Sequence, residues 1–395
     1  MRTEIVLFRR LTHKQAPCEA FSRLIRRSTR LPAYHCPGMP VTPSTDRQTA
    51  LRRFVQTSIG DQPYRLSPAS ADASFRSYWR ITSDTVRGTP SAWVLMDAPP
   101  DKEDLGAWLD IDARLRKAGL HAPEILAIDH AQGFILMEDL GTRTYLPELS
   151  PASVDALYAD AFDALLRMQR SVDVNGLPSY DRQRLVTEME LLPEWFLKRH
   201  LGFTISCDDW DVIEAAFTFL VHAADEQPRA FVHRDFHSRN LLIVEGAGSA
   251  EGAEILVNPA IVDFQDGVIG PITYDLVSLL RDCYIEWDSK RVDGWVENYR
   301  LKLQAAHLLG SDVGASRFSR WFDLMGLQRH LKVLGIFCRL WYRDGKRQYL
   351  DDLPLCWRYA TTVARRYPEL ADFAALLERA LGDRPIQASR ECATA

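Results

Sequence analysis

The sequence predicts an α+β protein of two lobes, a small sheet-rich lobe followed by a larger helical one. Three observations carry this. Short β-prone runs around a single helix occupy residues 64–140, and the pattern after about residue 140 is helical almost throughout. The chain has 395 residues, too many for one ordinary domain and suited to two lobes that share a cleft. Hydrophobic residues make up 46% and charged residues 26%, a globular composition rather than a disordered one. No apolar run approaches the ~18 residues that a membrane helix needs. The net charge of −5 argues against a nucleic-acid binder of the basic kind.

The elements follow in order. Residues 1–40 hold eight Lys/Arg against Glu4 and Glu19, with Ile5–Phe8 as their one compact apolar run. The segment lacks the h-region of a secretory signal. It reads as a basic tail with no core to join, or as an extension preceding a second start at Met39. Pro43–Asp46 marks a helix start, with Leu51, Phe54, Val55 and Ile59 at helical spacing and Gly60 as the stop. Tyr78–Thr82 and Trp93–Met96 are strand-like, and a small-residue stretch, Ser67–Ser74, separates the first from the strand before it. A helix spans about 101–118 up to Gly119. Strands at 124–129 and 133–137 then flank a turn at His130–Gln132.

Past Glu138–Gly141, helices fit 151–170, 181–200, 208–224, 272–285, 290–309, 318–342, 350–366 and 369–381. One β-like island at 231–263 breaks the series and contains a Gly-rich link, Gly246–Gly252. The expected division is 1–40 as an extension, 41–140 as the first lobe, 141–385 as the second and 386–395 as a tail. Seven scattered cysteines, odd in number and without a CxxC pair, disfavour a disulfide framework and point to the cytoplasm.

The chemistry concentrates in FVHRDFHSRNLLI, residues 231–243. Asp235 and Asn240 lie five apart in a polar loop between two apolar runs, and Asp263 ends a strand-like run 23 residues further on, in DFQDG. A carboxylate can orient a substrate hydroxyl and take its proton. An Asn amide and a second carboxylate supply hard oxygen ligands for Mg²⁺ at nucleotide phosphates. GxxxxGK[ST], HExxH and GxSxG are all absent from the sequence.

HRDFHSRN resembles the H-x-D-x₄-N catalytic loop of protein-kinase-like enzymes, and His237 gives it the H-x-D-x-H form of the aminoglycoside phosphotransferase family. DFQDG stands where those enzymes have their metal-binding Asp, and GPITYDLVSLLRD follows as a similar helix does there. Over about residues 45–385 the phrasing is similar to that of the bacterial anomeric N-acetylmuramate/N-acetylglucosamine kinases of cell-wall recycling. The stretches that carry it include IVDFQDGVIGPITYDLVSLLRDCY and LKVLGIFCRLWYRDGKRQYL.

The resemblance implies a protein-kinase-like bilobal fold, ATP as co-substrate, Mg²⁺, and an amino-sugar acceptor. No membrane, nucleic-acid or obligate protein partner is implied. Asp235 would be the catalytic base, with Asn240 and Asp263 as metal ligands and His233 and Asp275 as structural supports. SADASFRSYWRIT would form the phosphate-covering turn, with Ser74, Phe75 and Arg76 at the nucleotide and Arg76 or Arg80 lending positive charge. MEDLG resembles the hinge, where backbone groups of Glu138 to Leu140 would pair with adenine. The usual phosphate-pairing Lys is missing, with Met96-Asp97 near its place. His237, Arg239, Asp266 and Arg343 are candidate sugar contacts, and His237 stays open between a structural and a substrate role. An arginine such as Arg343 would suit the lactyl carboxylate of N-acetylmuramate. An aminoglycoside or amino-alcohol kinase and an inactive kinase-like binding module are the competing readings.

Overall fold

The computed structural model describes residues 45–71, 75–86, 89–244 and 256–389. The 1–40 segment, Ser74, the Gly246–Gly252 link and residues 390–395 lie outside the described residues. Helix α1 (Thr45–Ile59) leads into β1 (Tyr64–Ala71), β2 (Ser77–Val86) and β3 (Thr89–Asp97). Helix α2 (Leu105–Lys117) and the two-residue β4 (Leu120–His121) precede β5 (Ile125–Asp129) and β6 (Phe134–Glu138). One antiparallel sheet takes the order β1-β2-β3-β6-β5.

Alternation along β3 and β6 sorts the side chains by face. Leu95, Phe134 and Leu136 pack with Leu51 and Val55 of α1. Met96, Ile135 and Met137 join the larger core with Leu105, Trp108, Ile111 and Leu115 of α2. Both faces are therefore covered, which is why β6 reads as an unbroken apolar run. Ser67–Ala71 belongs to β1 rather than to a linking stretch, a correction to the expectation. Pro68 is tolerated there because β1 is an edge strand with a bulge between Pro68 and Ser70.

The rest is mainly helical. Short α3 (Tyr145–Glu148), α4 (Val154–Ser171) and α5 (Arg182–Met189) precede a π-helix at Leu192–Leu201 and α6 (Cys207–Asp225). Four short strands interrupt them: β7 (Arg229–Val232), β8 (Leu241–Leu242), β9 (Leu256–Ile261) and β10 (Val268–Pro271). The series closes with α7 (Tyr274–Leu280), α8 (Ser289–Ala305), α9 (Ala315–Asp344), α10 (Leu353–Arg366) and α11 (Ala371–Leu381).

The single helix expected over 181–200 is thus two. Pro193 has no N–H to donate, so the α ladder cannot run through it, and the chain rewinds with a wider turn. Long helix α9 crosses this point at Gly335, where an added Cβ would lie 2.4 Å from the Leu191 carbonyl carbon. The packing continues to Ile386, whose carbonyl oxygen lies 2.6 Å from His200 Nε2.

Two small ladders position the polar loops. β7 pairs with β10, and β9 lies between β8 and β4. The loop 233–240 therefore springs from β7 and returns through β8, and Asp263 follows the neighbouring β9.

Candidate active site

Loop 233–240 hangs from two carboxylates. The backbone N–H groups of His233 and Arg234 donate to the two oxygens of Asp275, at 2.7 and 3.0 Å. Asp275 is buried in the first turn of α7. Burial pushes its carboxyl up to about 7, against the pull of those two donors. At the far end, Ser238 donates its N–H (3.0 Å) and its hydroxyl to Asp282, which also accepts from the Tyr284 N–H at 3.3 Å. Between these anchors Arg234 adopts a left-handed backbone, φ 78°. Strain of that kind persists only where the surroundings impose it. Its guanidinium pairs with partly buried Glu188 and lies 3.7 Å from Asp266.

Asp235 is held through its backbone. Its N–H donates to His233 Nδ1 at 3.3 Å, and its carbonyl accepts from the His237 N–H and from Asn240 Nδ2, both at 3.0 Å. Burial alone would raise the Asp235 carboxyl. The positive charges of Lys332, Arg329 and Arg234, with His237 adding to them only when protonated, outweigh it and hold the group below the usual carboxylate range. Asp235 is therefore ionised at neutral pH.

His233 is fully buried, and burial lowers it to about 4. Neutral, with Nδ1 accepting from Asp235, it carries its proton on Nε2. Burial also lowers His237. Its Nδ1 accepts from the Arg239 N–H at 3.4 Å, and its ring meets Tyr284 edge-on at 5.6 Å. Arg239 is exposed and lays its guanidinium over the Tyr284 ring, 3.4 Å from the centroid.

Asn240 joins the two loops. Its Nδ2 also donates to Asp263 Oδ2 at 3.2 Å, and Gln265 Nε2 donates to Asp263 Oδ1 at 2.9 Å. With its amide protons spent on Asp235 and Asp263, Asn240 can offer a cation its Oδ1. Asp263 is exposed and also takes a left-handed backbone, φ 63°. Next to it, Phe264 packs on Trp108 of α2 with centroids 5.1 Å apart, so the Asp263 loop is braced against α2. A carboxylate and an amide oxygen fit Mg²⁺, which keeps several waters and takes one or two protein carboxylates plus phosphates. No group of three or more His, Cys, Asp or Glu placed to hold a metal occurs among the described residues.

The nucleotide-side residues are organised by carboxylates. Glu103, just before α2, accepts from the Phe75 N–H at 3.2 Å and pairs with Arg76 at 3.6 Å, and Lys102 lies over the Phe75 ring at 5.1 Å. Arg80 takes no part in that turn. It donates to both oxygens of Asp139 (2.6 and 2.9 Å) and to the Gly141 carbonyl (3.0 Å), clipping β2 to the hinge-like segment. Of the two arginines expected to lend charge to phosphates, Arg80 is thus engaged at the hinge-like segment and Arg76 stands at the turn. Asp97, near the place of the missing Lys, is buried against Arg47 of α1.

The Glu138 N–H is already donated to the Glu124 carbonyl at 2.8 Å, which narrows the backbone groups expected to meet adenine. Its side chain bonds His121 Nε2 at 3.1 Å. The Leu140 side chain packs with Leu242 and Ala260, and with Val244 and Val262 at their margin. Arg343, at the end of α9, donates from Nε and Nη2 to neighbouring Asp344 at 2.7 and 2.8 Å.

Sequence reasoning missed Asp282, Glu103, and the Glu188–Lys332 pair (3.1 Å) behind the loop. Ser238 and Asp282 are 44 residues apart, and no local pattern marks such a pairing.

A model of the phosphotransferase enzyme family matches residues 65–309. An N-acetylmuramate/N-acetylglucosamine kinase of Pseudomonas aeruginosa is 43% identical over 326 residues, 82% of this chain and 91% of the relative. One of Neisseria meningitidis is 38% identical over 345 residues, 86% and 98%. Among solved structures, a Plasmodium vivax ethanolamine kinase superposes with a TM-score of 0.55 at 11% identity, covering 89% of this chain and 96% of that one. The protein of a gentamicin–APH(2")-IIa complex superposes at 0.51 and 12%, covering 78% and 95%. The superpositions give a protein-kinase-like fold, and the family model with the curated relatives defines the class, a phosphotransferase. The chain belongs to the phosphotransferase enzyme family.

Proposed function

We propose that this protein is an ATP-dependent sugar kinase that phosphorylates the anomeric hydroxyl of N-acetylmuramate or N-acetylglucosamine in cell-wall recycling. The observation that carries the reading is identity of 38–43% with kinases of that name across at least nine-tenths of their length. The site geometry supports it. Asp235 orients the sugar hydroxyl and accepts its proton at a carboxylate oxygen. A base held below the usual carboxylate range is weak, and an anomeric hydroxyl, more acidic than an ordinary alcohol, suits it.

Asn240 Oδ1 and Asp263 would hold Mg²⁺. The ion, when bound, neutralises charge on the phosphates during in-line transfer. Asp275 and Asp282 fix the loop so that positioning rather than covalent chemistry lowers the barrier. Phe75 and Arg76, held in place by Glu103, would cover the phosphates, and Leu140 with Leu242 and Val262 would line the adenine slot.

The natural compartment of a kinase that consumes ATP is the cytoplasm. The four described cysteines, which form no disulfide, fit its reducing conditions. No described helix is long and apolar enough to cross a membrane. ATP consumption measured over N-acetylmuramate, N-acetylglucosamine, kanamycin, gentamicin, choline and ethanolamine tests the proposal. Turnover on the two amino sugars is expected. Turnover confined to the antibiotics or amino alcohols would replace the reading, and none on any acceptor would favour an inactive binding module.

A further inference from the structure

We propose that Arg239 reads the lactyl carboxylate of N-acetylmuramate and so sets the preference between the two amino sugars, an inference that rests on the sugar-kinase reading above. Arg239 sits in the same loop as the base, four residues after Asp235 and directly before Asn240. That loop is tied down on both sides, by Asp275 at His233 and Arg234 and by Asp282 at Ser238. Arg239 is exposed, yet its head group is not loose. The guanidinium lies 3.4 Å from the Tyr284 ring centroid.

Tyr284 is itself fixed. Its N–H donates to Asp282, His237 stands edge-on against it at 5.6 Å, and Phe337 supports it at 6.4 Å. Stacking fixes the plane of the guanidinium and leaves its N–H edge for an acceptor, so less freedom is lost when a carboxylate binds in a fork-to-fork pair. No described carboxylate forms an ion pair with Arg239. The Asp352 carboxylate feels its charge from a distance only.

Other basic groups of this region are engaged: Arg234 and buried Lys332 pair with Glu188, Arg329 is buried with its Nη1 on the Cys283 sulfur (3.3 Å), and Arg343 spends two donors on Asp344. Arg339 keeps its Nε without a hydrogen-bond partner, but that atom is buried rather than presented outward. An acidic sugar whose hydroxyl faces ionised Asp235 brings a second negative charge to the loop. Arg239 is the cation placed to offset it, and N-acetylglucosamine carries no such group.

The test uses N-acetylmuramate, its neutral methyl ester and N-acetylglucosamine on the unaltered protein, Arg239→Gln and Arg239→Lys, reading kcat/KM with Mg-ATP affinity alongside. The unaltered protein should favour the acid over its ester by roughly ten- to a hundredfold, the scale of one charge-assisted pair. In Arg239→Gln that ratio should collapse to within about threefold, and Arg239→Lys should keep part of it. A ratio that survives in Arg239→Gln overturns the inference. So does an equal fall on all three acceptors with Mg-ATP affinity lost, which would assign Arg239 to the phosphates. If the unaltered protein phosphorylates neither sugar, the sugar-kinase reading falls and this inference with it. If both are phosphorylated and the ratio does not move, this inference alone falls.

Discussion

Replacing Asp235 by Asn removes one negative charge and almost no volume. None of the hydrogen bonds that hold the loop uses the Asp235 carboxylate. They run through its N–H to His233, and through its carbonyl to His237 and Asn240. The loop anchors on Asp275 and Asp282 are also untouched. The fold and the Asn240–Asp263 pair should therefore persist, and with them Mg-ATP binding. Only the proton acceptor is lost. Such losses are typically about 10²–10⁴-fold in rate, or about 3–5 kcal/mol of barrier. A coupled ATP-consumption assay at saturating N-acetylmuramate reads kcat, and calorimetry reads Mg-ATP affinity. Activity within tenfold of the parent would refute the base assignment. A kcat loss matched by an equal loss of Mg-ATP affinity would show that the carboxylate belongs to the metal site instead.

Asp263→Ala should abolish measurable Mg²⁺-dependent ATP binding, and Asn240→Ala should weaken it less, because a neutral amide contributes no charge; unchanged affinity in Asp263→Ala would reject the metal role. Asp112 of α2 is buried with Oδ1 lacking a hydrogen-bond partner, and burial pushes its carboxyl up to about 7 despite Arg116. A folded-state pKa raised above the unfolded value near 3.9 means that its stabilising contribution, full at low pH, is lost as pH rises through 7. Asp112→Asn should accordingly stabilise the protein by about 1–3 kcal/mol at pH 8.5, with the gap closing toward pH 5. Urea unfolding at the two pH values measures this, and a gap that does not change with pH would contradict the burial argument.

The architecture was legible where the sequence carries a period. Leu51, Phe54 and Val55 announced α1, and the β-prone run Trp93–Met96 announced β3. Gly60 and Gly119, both at positive φ, marked true stops. The π-helix was not legible, because Pro193 reads equally as a helix end or as a first-turn residue until α9 is seen crossing at Gly335. Asp235, Asn240 and Asp263 stood out because loop and strand-end residues at fixed spacing form a local pattern. The side chains that fix them are distant in sequence. Asp282 serves Ser238, Glu103 serves Phe75 and Arg76, and Asp139 occupies Arg80. Such pairings depend on which strands become neighbours, and that is settled by sheet order rather than by neighbouring residues.

The site of phosphoryl transfer is tested most directly by phosphorus NMR of the product, with the methyl glycoside of N-acetylglucosamine as the companion acceptor. The free sugar should yield a phosphate coupled to the anomeric proton. The glycoside, its anomeric oxygen blocked, should accept no phosphate. A phosphate on any other hydroxyl, or a phosphorylated glycoside, would contradict anomeric transfer.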